Sequence, residues 1–267
     1  MPGGRRDGRP GLKQILIIGI GAGDPDYLTV QAIKALNRAD VFFVMDKGPA
    51  KDKLVALRRD ICQRFIEHDR YRVVEAPCPE RTRGVPDYRG SVDELNASKQ
   101  AVYAQLIHDE LADGQVGAFL VWGDPGLYDS TIRILERIVA GSGQALAFEV
   151  IPGITSVQAL AARHRIPLNS IGQALQITPA RQLAEQGFPE GLDTAVVMLD
   201  ARNTWQQFRN QELDIFWGAY VGTPDERLIS GRLDDVADEI ARVRAEARQQ
   251  QGWIMDTYLL RRRQSGE

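Results

Sequence analysis

Three turns rich in glycine each close an apolar run in this 267-residue sequence: Gly19-Ile20-Gly21-Ala22-Gly23-Asp24-Pro25, Gly123-Asp124-Pro125 and Pro152-Gly153-Ile154-Thr155-Ser156. In open α/β sheets, ligands sit beyond the carboxyl ends of the strands. Glycine lets a backbone come close to a ligand and adopt positive φ. One such turn is a weak signal, but three in this order are a strong one. A dinucleotide site asks for Gly-x-Gly-x-x-Gly with the third glycine inside a helix. Here the third glycine, Gly23, comes one residue early, and Asp24-Pro25 follows it. Pro25 has no N–H to offer a pyrophosphate, and Asp24 would repel one. No Lys-Ser/Thr pair follows either, which excludes a phosphate-binding P-loop. A cationic ligand without phosphate fits the acidic turns better. S-adenosylmethionine, with its sulfonium and ammonium groups, is of that kind, and Asp24 and Asp124 would be its neighbours. Taken singly, each aspartate reads better as a turn cap, the common role of Asp-Pro.

The elements that must carry these turns are legible around them. Ile15–Ile20 is a short aliphatic run of the kind found in buried parallel strands. Thr29–Ala39 has helical spacing, with Val30, Ile33, Ala35 and Leu36 as its apolar stripe. Val41–Met45 is a second apolar run, ending at Asp46. This β-loop-α-β order implies a parallel sheet. Further strands are expected at Tyr71–Ala76, Val116–Trp122, Ala145–Ile151, Ala195–Leu199, Trp217–Val221 and Met255–Leu260. Helices are expected at Asn96–Ala112, Ser130–Ala140, Ile154–Arg163, Thr204–Arg209 and Leu233–Arg248, and residues 78–91 read as a long loop. The expected organisation is a disordered tail at 1–11, an N-terminal α/β domain over 12–125 and a C-terminal α/β domain over 126–267.

Composition excludes several function classes. Hydrophobic residues make up 43% and charged residues 26%, with a net charge of −3. That suits a globular chain with a substantial core and gives no overall attraction for nucleic acid or an anionic membrane. No apolar run approaches the length of a membrane span. The two cysteines, Cys62 and Cys78, and the three scattered histidines lack metal-ligand spacing, so no metal is expected. Free thiols in a reducing cytoplasm are the better reading of the cysteines.

The ordered set of turns, with Leu28-Thr29 after the first and Tyr128 after the second, resembles the tetrapyrrole methylase family from about Gln14 onward. The resemblance implies two α/β domains with a cofactor cleft between them, S-adenosylmethionine as methyl donor and S-adenosylhomocysteine as product. It carries cofactor contacts over to Gly123, Asp124 and Leu127, to Thr155 and Ser156, to Met198, and to Gly222 in Gly222-Thr223-Pro224 near the adenine. Ala22 stands where the family's first turn usually has proline. Leu199 stands where the family has a glycine after the methionine.

The segments Trp217–Pro224 and Gly252–Arg262 are similar to those of corrin-pathway members of the family. That similarity implies C-methylation at carbon 1 of the corrin precursor precorrin-5, with loss of an acetyl group as acetate, by a cytoplasmic homodimer. Asp46, at a strand end, is the candidate base for deacetylation. A strand-end aspartate is as often simply solvated. Arg81 and Arg83, in a loop with Arg89 and Tyr88, are candidates for holding substrate carboxylates, since guanidinium binds carboxylate in a bidentate way. Two alternatives stay open: a methyltransferase of the same fold acting on a protein (diphthine synthase-like) or on RNA, and a non-catalytic tetrapyrrole-binding module.

Overall fold

A computed structural model describes residues 11–46, 52–79, 88–141 and 145–263. The expected tail falls outside them but for Gly11. The chain forms two compact units: one runs to Ile20 and resumes from Pro25 to Gly153, and the other comprises Gly21–Asp24 and the chain from Ile154 onward. Both combine a five-stranded sheet with helices, as expected of an α/β chain.

In the first unit, β1 (Lys13–Gly19), β2 (Val41–Asp46), β3 (Arg72–Pro77), β4 (Val116–Val121) and β5 (Leu146–Ile151) form a parallel sheet in the order β3-β2-β4-β1-β5. The continuous aliphatic run of β1 is explained by burial on both faces. Ile15 and Ile17 meet Tyr103, Ile107, Ile134 and Leu135 from α3 (Tyr88–Glu110) and α4 (Thr131–Gly141). Leu16 and Ile18 meet Ala32, Leu36 and Ile61 from α1 (Val30–Leu36) and α2 (Asp52–Phe65). Each fully buried aliphatic side chain is worth roughly 2 kcal/mol. Thr29 caps α1, its hydroxyl accepting from Ala32 N at 3.0 Å. Val30, expected on the apolar stripe, is instead exposed, and burial along α1 starts at Ala32.

In the second unit, β6 (Leu175–Pro179), β7 (Thr194–Met198), β8 (Leu213–Ala219), β9 (Arg227–Arg232) and β10 (Asp256–Arg262) are ordered β6-β7-β10-β8-β9. Only β6 and β7 run parallel. Trp205, Trp217 and Tyr258 are wholly buried between this sheet and α6 (Ala180–Gln186) and α7 (Leu233–Gln251), while α5 (Ser156–His164) packs on β8 and β10.

The division expected after residue 125 differs from this arrangement. β5 pairs with β1 along six residues, so the chain from 126 to Gly153 belongs to the first sheet and the units change at Gly153. The expected loop over 78–91 is also shortened, because α3 begins at Tyr88. The segment Thr204–Phe208 is a 3₁₀ turn rather than an α-helix.

Candidate functional site

In the first unit, the three glycine turns meet at adjacent strand ends, because β4, β1 and β5 are neighbours. A Cβ on Gly19 would lie 2.6 Å from the nitrogen of Gly153 and 2.9 Å from the carbonyl oxygen of Gly123. A Cβ on Gly153 would lie 2.1 Å from that same oxygen. Three main chains therefore touch where no side chain fits. Gly123 adds a positive φ of 70°, a conformation that glycine adopts without steric cost.

Asp124 locks this arrangement. Its Oδ2 accepts from Gly153 N at 2.8 Å and its Oδ1 from Gly126 N at 2.7 Å. Leu127 N closes the turn by donating to the Asp124 carbonyl at 3.2 Å. Thus Gly123, Asp124 and Leu127 come together, but the Asp124 carboxylate serves as a clamp joining the β4 and β5 turns. Asp124→Asn leaves one of the two N–H groups facing an amide instead of an oxygen, a loss of about 1–2 kcal/mol at a half-buried site. At about 2–4 °C per kcal/mol, the thermal midpoint should fall by several degrees. An unchanged midpoint would mean that the carboxylate clamps nothing.

In the second unit, two groups of expected residues assemble separately. Ala22 is buried, and a Cβ on its neighbour Gly23, whose φ is +146°, would lie 2.6 Å from Thr223 Cγ2 and 2.9 Å from the Val221 carbonyl oxygen. The first turn thus packs on the Gly222-Thr223 turn. Gly222 N donates to Glu226 Oε2 at 2.8 Å, and the other Glu226 oxygen accepts from Arg163. Glu226 has only the turn residues before it as a sequence signal, and sequence reasoning missed it.

The other group surrounds Thr257 of β10. Thr155 caps α5 in a capping box with Gln158, so its hydroxyl is occupied by the helix start. Ser156 Oγ lies 3.2 Å from Thr257 Oγ1, and Thr257 stands opposite Met198 in the β10–β7 ladder. Ser156 and Met198 are thereby held around one buried threonine that no motif had marked.

Leu199, after Met198, has φ +59° and is 62% exposed. It keeps the backbone conformation of a glycine although it is not one. Asp200 anchors the following turn: it accepts from Arg202 N and Thr204 N, and from the Tyr258 hydroxyl at 2.9 Å. Arg244 donates to the Asp200 carbonyl and to Asp256 Oδ2 at 2.8 Å, and Trp217 Nε1 donates to that same oxygen at 3.0 Å.

Asp46 closes β2 opposite Pro77, as a strand-end residue should. Its side chain lies outside the described residues, as do Arg81 and Arg83. Both cysteines are free, and burial pushes the Cys62 thiol up to about 12, which removes it from nucleophilic chemistry. Among the described residues no cluster of His, Cys, Asp and Glu could hold a metal ion, and no helix is long and apolar enough to cross a membrane.

Comparison with known proteins adds independent findings. The family model of the tetrapyrrole (corrin/porphyrin) methylases matches residues 14–237. Precorrin-6A synthase (deacetylating) of a Sinorhizobium species is 53% identical over 253 residues, 94% of this chain and 96% of that protein. Among solved structures, a cobalamin-synthesis-related protein (CobF) from Corynebacterium diphtheriae is 36% identical with a TM-score of 0.79, covering 94% of this chain and 99% of the other. Uroporphyrin-III C-methyltransferase from Thermus thermophilus, complexed with S-adenosylhomocysteine, shares the fold at 18% identity, with a TM-score of 0.56 over 92% of this chain and 96% of that one.

Proposed function

The chain belongs to the tetrapyrrole (corrin/porphyrin) methylases, and on that premise we propose that it methylates carbon 1 of precorrin-5 with S-adenosylmethionine and releases acetate, giving precorrin-6A. The observation that carries this reading is the likeness to the Sinorhizobium enzyme, which extends through nearly the whole length of both proteins. A cytoplasmic homodimer acting on a small molecule, with no nucleic acid or membrane partner, completes the proposal.

The residues present fit the cofactor. The Gly19–Gly123–Gly153 contact brings three strand ends closer together than any Cβ would allow, which gathers the turns proposed to face the ligand. Asp24, Asp124 and Pro25 make the turns hospitable to a sulfonium and an ammonium rather than to phosphate. Ala22, Gly123, Asp124, Leu127, Thr155, Ser156, Met198 and Gly222 are proposed to hold it. When bound, S-adenosylmethionine supplies an electrophilic methyl group, leaving S-adenosylhomocysteine.

Methyl transfer to carbon is an in-line displacement, so positioning supplies most of the rate. The chain's share of that work is rigidity: Asp124 fixes two strand ends to each other, and the capping box fixes the start of α5. Deacetylation needs more. Water adds to the acetyl carbonyl carbon while its proton passes to a base. The carbon–carbon bond to the macrocycle then breaks, its electron pair stays with the ring, and acetate leaves. Asp46, at the carboxyl end of β2, is the proposed base. Arg81 and Arg83 are proposed to hold substrate carboxylates.

Incubation with precorrin-5 and methyl-labelled S-adenosylmethionine should place label in a coloured product with one acetate released per methyl. Absence of label would overturn the proposal. With Asp46→Asn, methyl transfer should persist while acetate release slows about 10²-fold or more. A variant that does both at the normal rate removes Asp46 from the chemistry.

A further inference from the structure

A half-buried arginine in the first unit forms no ion pair among the described residues. The β2–β4 pairing ends at Phe43–Phe119, although β2 continues to Asp46 and β4 to Val121. Beyond that last pair, Arg58 of α2 reaches the sheet: its Nε donates to the Leu120 carbonyl at 3.2 Å, and its Nη1 to the Leu54 carbonyl at 2.8 Å. Two backbone carbonyls thus fix the plane of the guanidinium. Among the described residues Nη2 makes no hydrogen bond and Arg58 forms no ion pair. The nearby ionisable groups are Tyr103, Asp129 and Cys78. Burial pushes the Tyr103 hydroxyl upward, so it stays neutral, and Asp129 Oδ1 is taken by Thr131 N at the start of α4.

A guanidinium held half-buried between α2 and the sheet gives up part of its hydration, which two carbonyls restore only in part, and desolvation lowers its pKa. Holding Leu120 accounts for Nε alone. The end of the fork, Nη1 and Nη2, has the geometry that receives a carboxylate. Its location beside the end of β4, one strand from β1, is where α/β sheets bind ligands.

We propose that Arg58 receives a carboxylate of the tetrapyrrole substrate, orienting the macrocycle at the carboxyl end of β4. This assignment rests on the function proposed above, since corrin precursors carry several carboxylate side chains. Arg58 acts here as a substrate-binding residue and takes no part in cofactor binding.

The test is steady-state methylation of precorrin-5 by the full-length chain, with S-adenosylhomocysteine affinity measured in parallel by calorimetry. Arg58→Gln keeps a donor for a carbonyl but loses the charge and the fork. It should raise the KM for precorrin-5 about tenfold or more, the loss typical of a hydrogen bond to a charged group, while S-adenosylhomocysteine affinity stays within twofold. Arg58→Lys keeps the charge without the fork and should raise the KM severalfold; it decides the matter if the glutamine variant does not fold. A wild-type KM in either folded variant overturns the assignment, as does an equal loss of substrate and S-adenosylhomocysteine affinity, which would mark Arg58 as purely structural. Failure of the wild-type chain to methylate precorrin-5 at all would instead sink the proposed function.

Discussion

Gly153→Ala should abolish measurable S-adenosylhomocysteine binding, weakening it at least 100-fold, while also destabilising the fold by about 3 kcal/mol. The added methyl carbon would sit 2.1 Å from the Gly123 carbonyl oxygen and 2.8 Å from the carbonyl carbon of Gly19. Both obstacles are backbone, so no side chain can swing aside. At least one strand end must move by more than an ångström to restore van der Waals distance. Overpacking of this kind costs about 1–3 kcal/mol. Movement of the β5 turn also stretches the Gly153 N–H bond to Asp124, which adds roughly another 1 kcal/mol. A hundredfold loss of affinity corresponds to about 2.7 kcal/mol, the scale of the cost of overpacking and of the stretched Gly153–Asp124 hydrogen bond taken together. Gly141→Ala is the matched control: it ends α4, has no neighbour within reach of a Cβ, and should be neutral or stabilising by a few tenths of a kcal/mol. Calorimetric titration with S-adenosylhomocysteine, alongside thermal unfolding, reads both effects. Normal affinity in Gly153→Ala would show that the strand ends are not the cofactor cradle.

What the sequence disclosed and what it hid follow one physical division. Gly19, Gly123 and Gly153 stood out because glycine after a buried strand is a local signal, yet their mutual contact depends on strand order, which brings β4, β1 and β5 side by side. Asp124 was visible as an acidic turn residue. Its two backbone donors come from Gly126, two residues on, and from Gly153, twenty-nine residues on; only the first is local enough to infer. β1 was plain because both its faces are buried, and that makes the run continuous.

β6 and β9 leave little trace in the sequence for the opposite reason. They are the edges of the second sheet, their side chains are half exposed, and Arg227-Leu228-Ile229-Ser230-Gly231-Arg232 is as polar as a loop. The boundary expected after residue 125 follows from the composition of the Gly123 turn, whereas β5 returns to the first sheet after it and the units change at Gly153. Leu199 is the sharpest case. Its type argues against the left-handed region, which costs a non-glycine residue about 1–2 kcal/mol, and only the buried network behind it shows why the turn holds.

That network gives the second large effect: Arg244→Met should destabilise the chain by about 3–5 kcal/mol, the range for leaving one member of a buried ion pair alone. The side chains of Arg244 and Asp256 are 6% and 3% exposed. Without the guanidinium, Asp256 keeps only the Trp217 indole N–H, and the Asp200 carbonyl loses the donor that braces the Leu199 turn. Burial pushes the Asp256 carboxyl upward, and Arg244 is the main opposing influence, so the variant's carboxyl should rise further. A carboxyl raised in the folded state contributes stability that is present below its unfolded pKa, about 3.9, and is lost as pH rises above it. The gap between wild type and Arg244→Met should therefore be widest near neutrality and narrow toward pH 4. Replacing both members, Arg244→Met with Asp256→Leu, removes the stranded charge and should recover about 2 kcal/mol or more of the loss, leaving the unpaired Trp217 N–H as the residual cost. Denaturant unfolding of the two variants at pH 7 and pH 4.5 separates these contributions. A single variant within 1 kcal/mol of wild type at pH 7, or a double variant less stable than the single, would mean that the pair does not hold this turn in place.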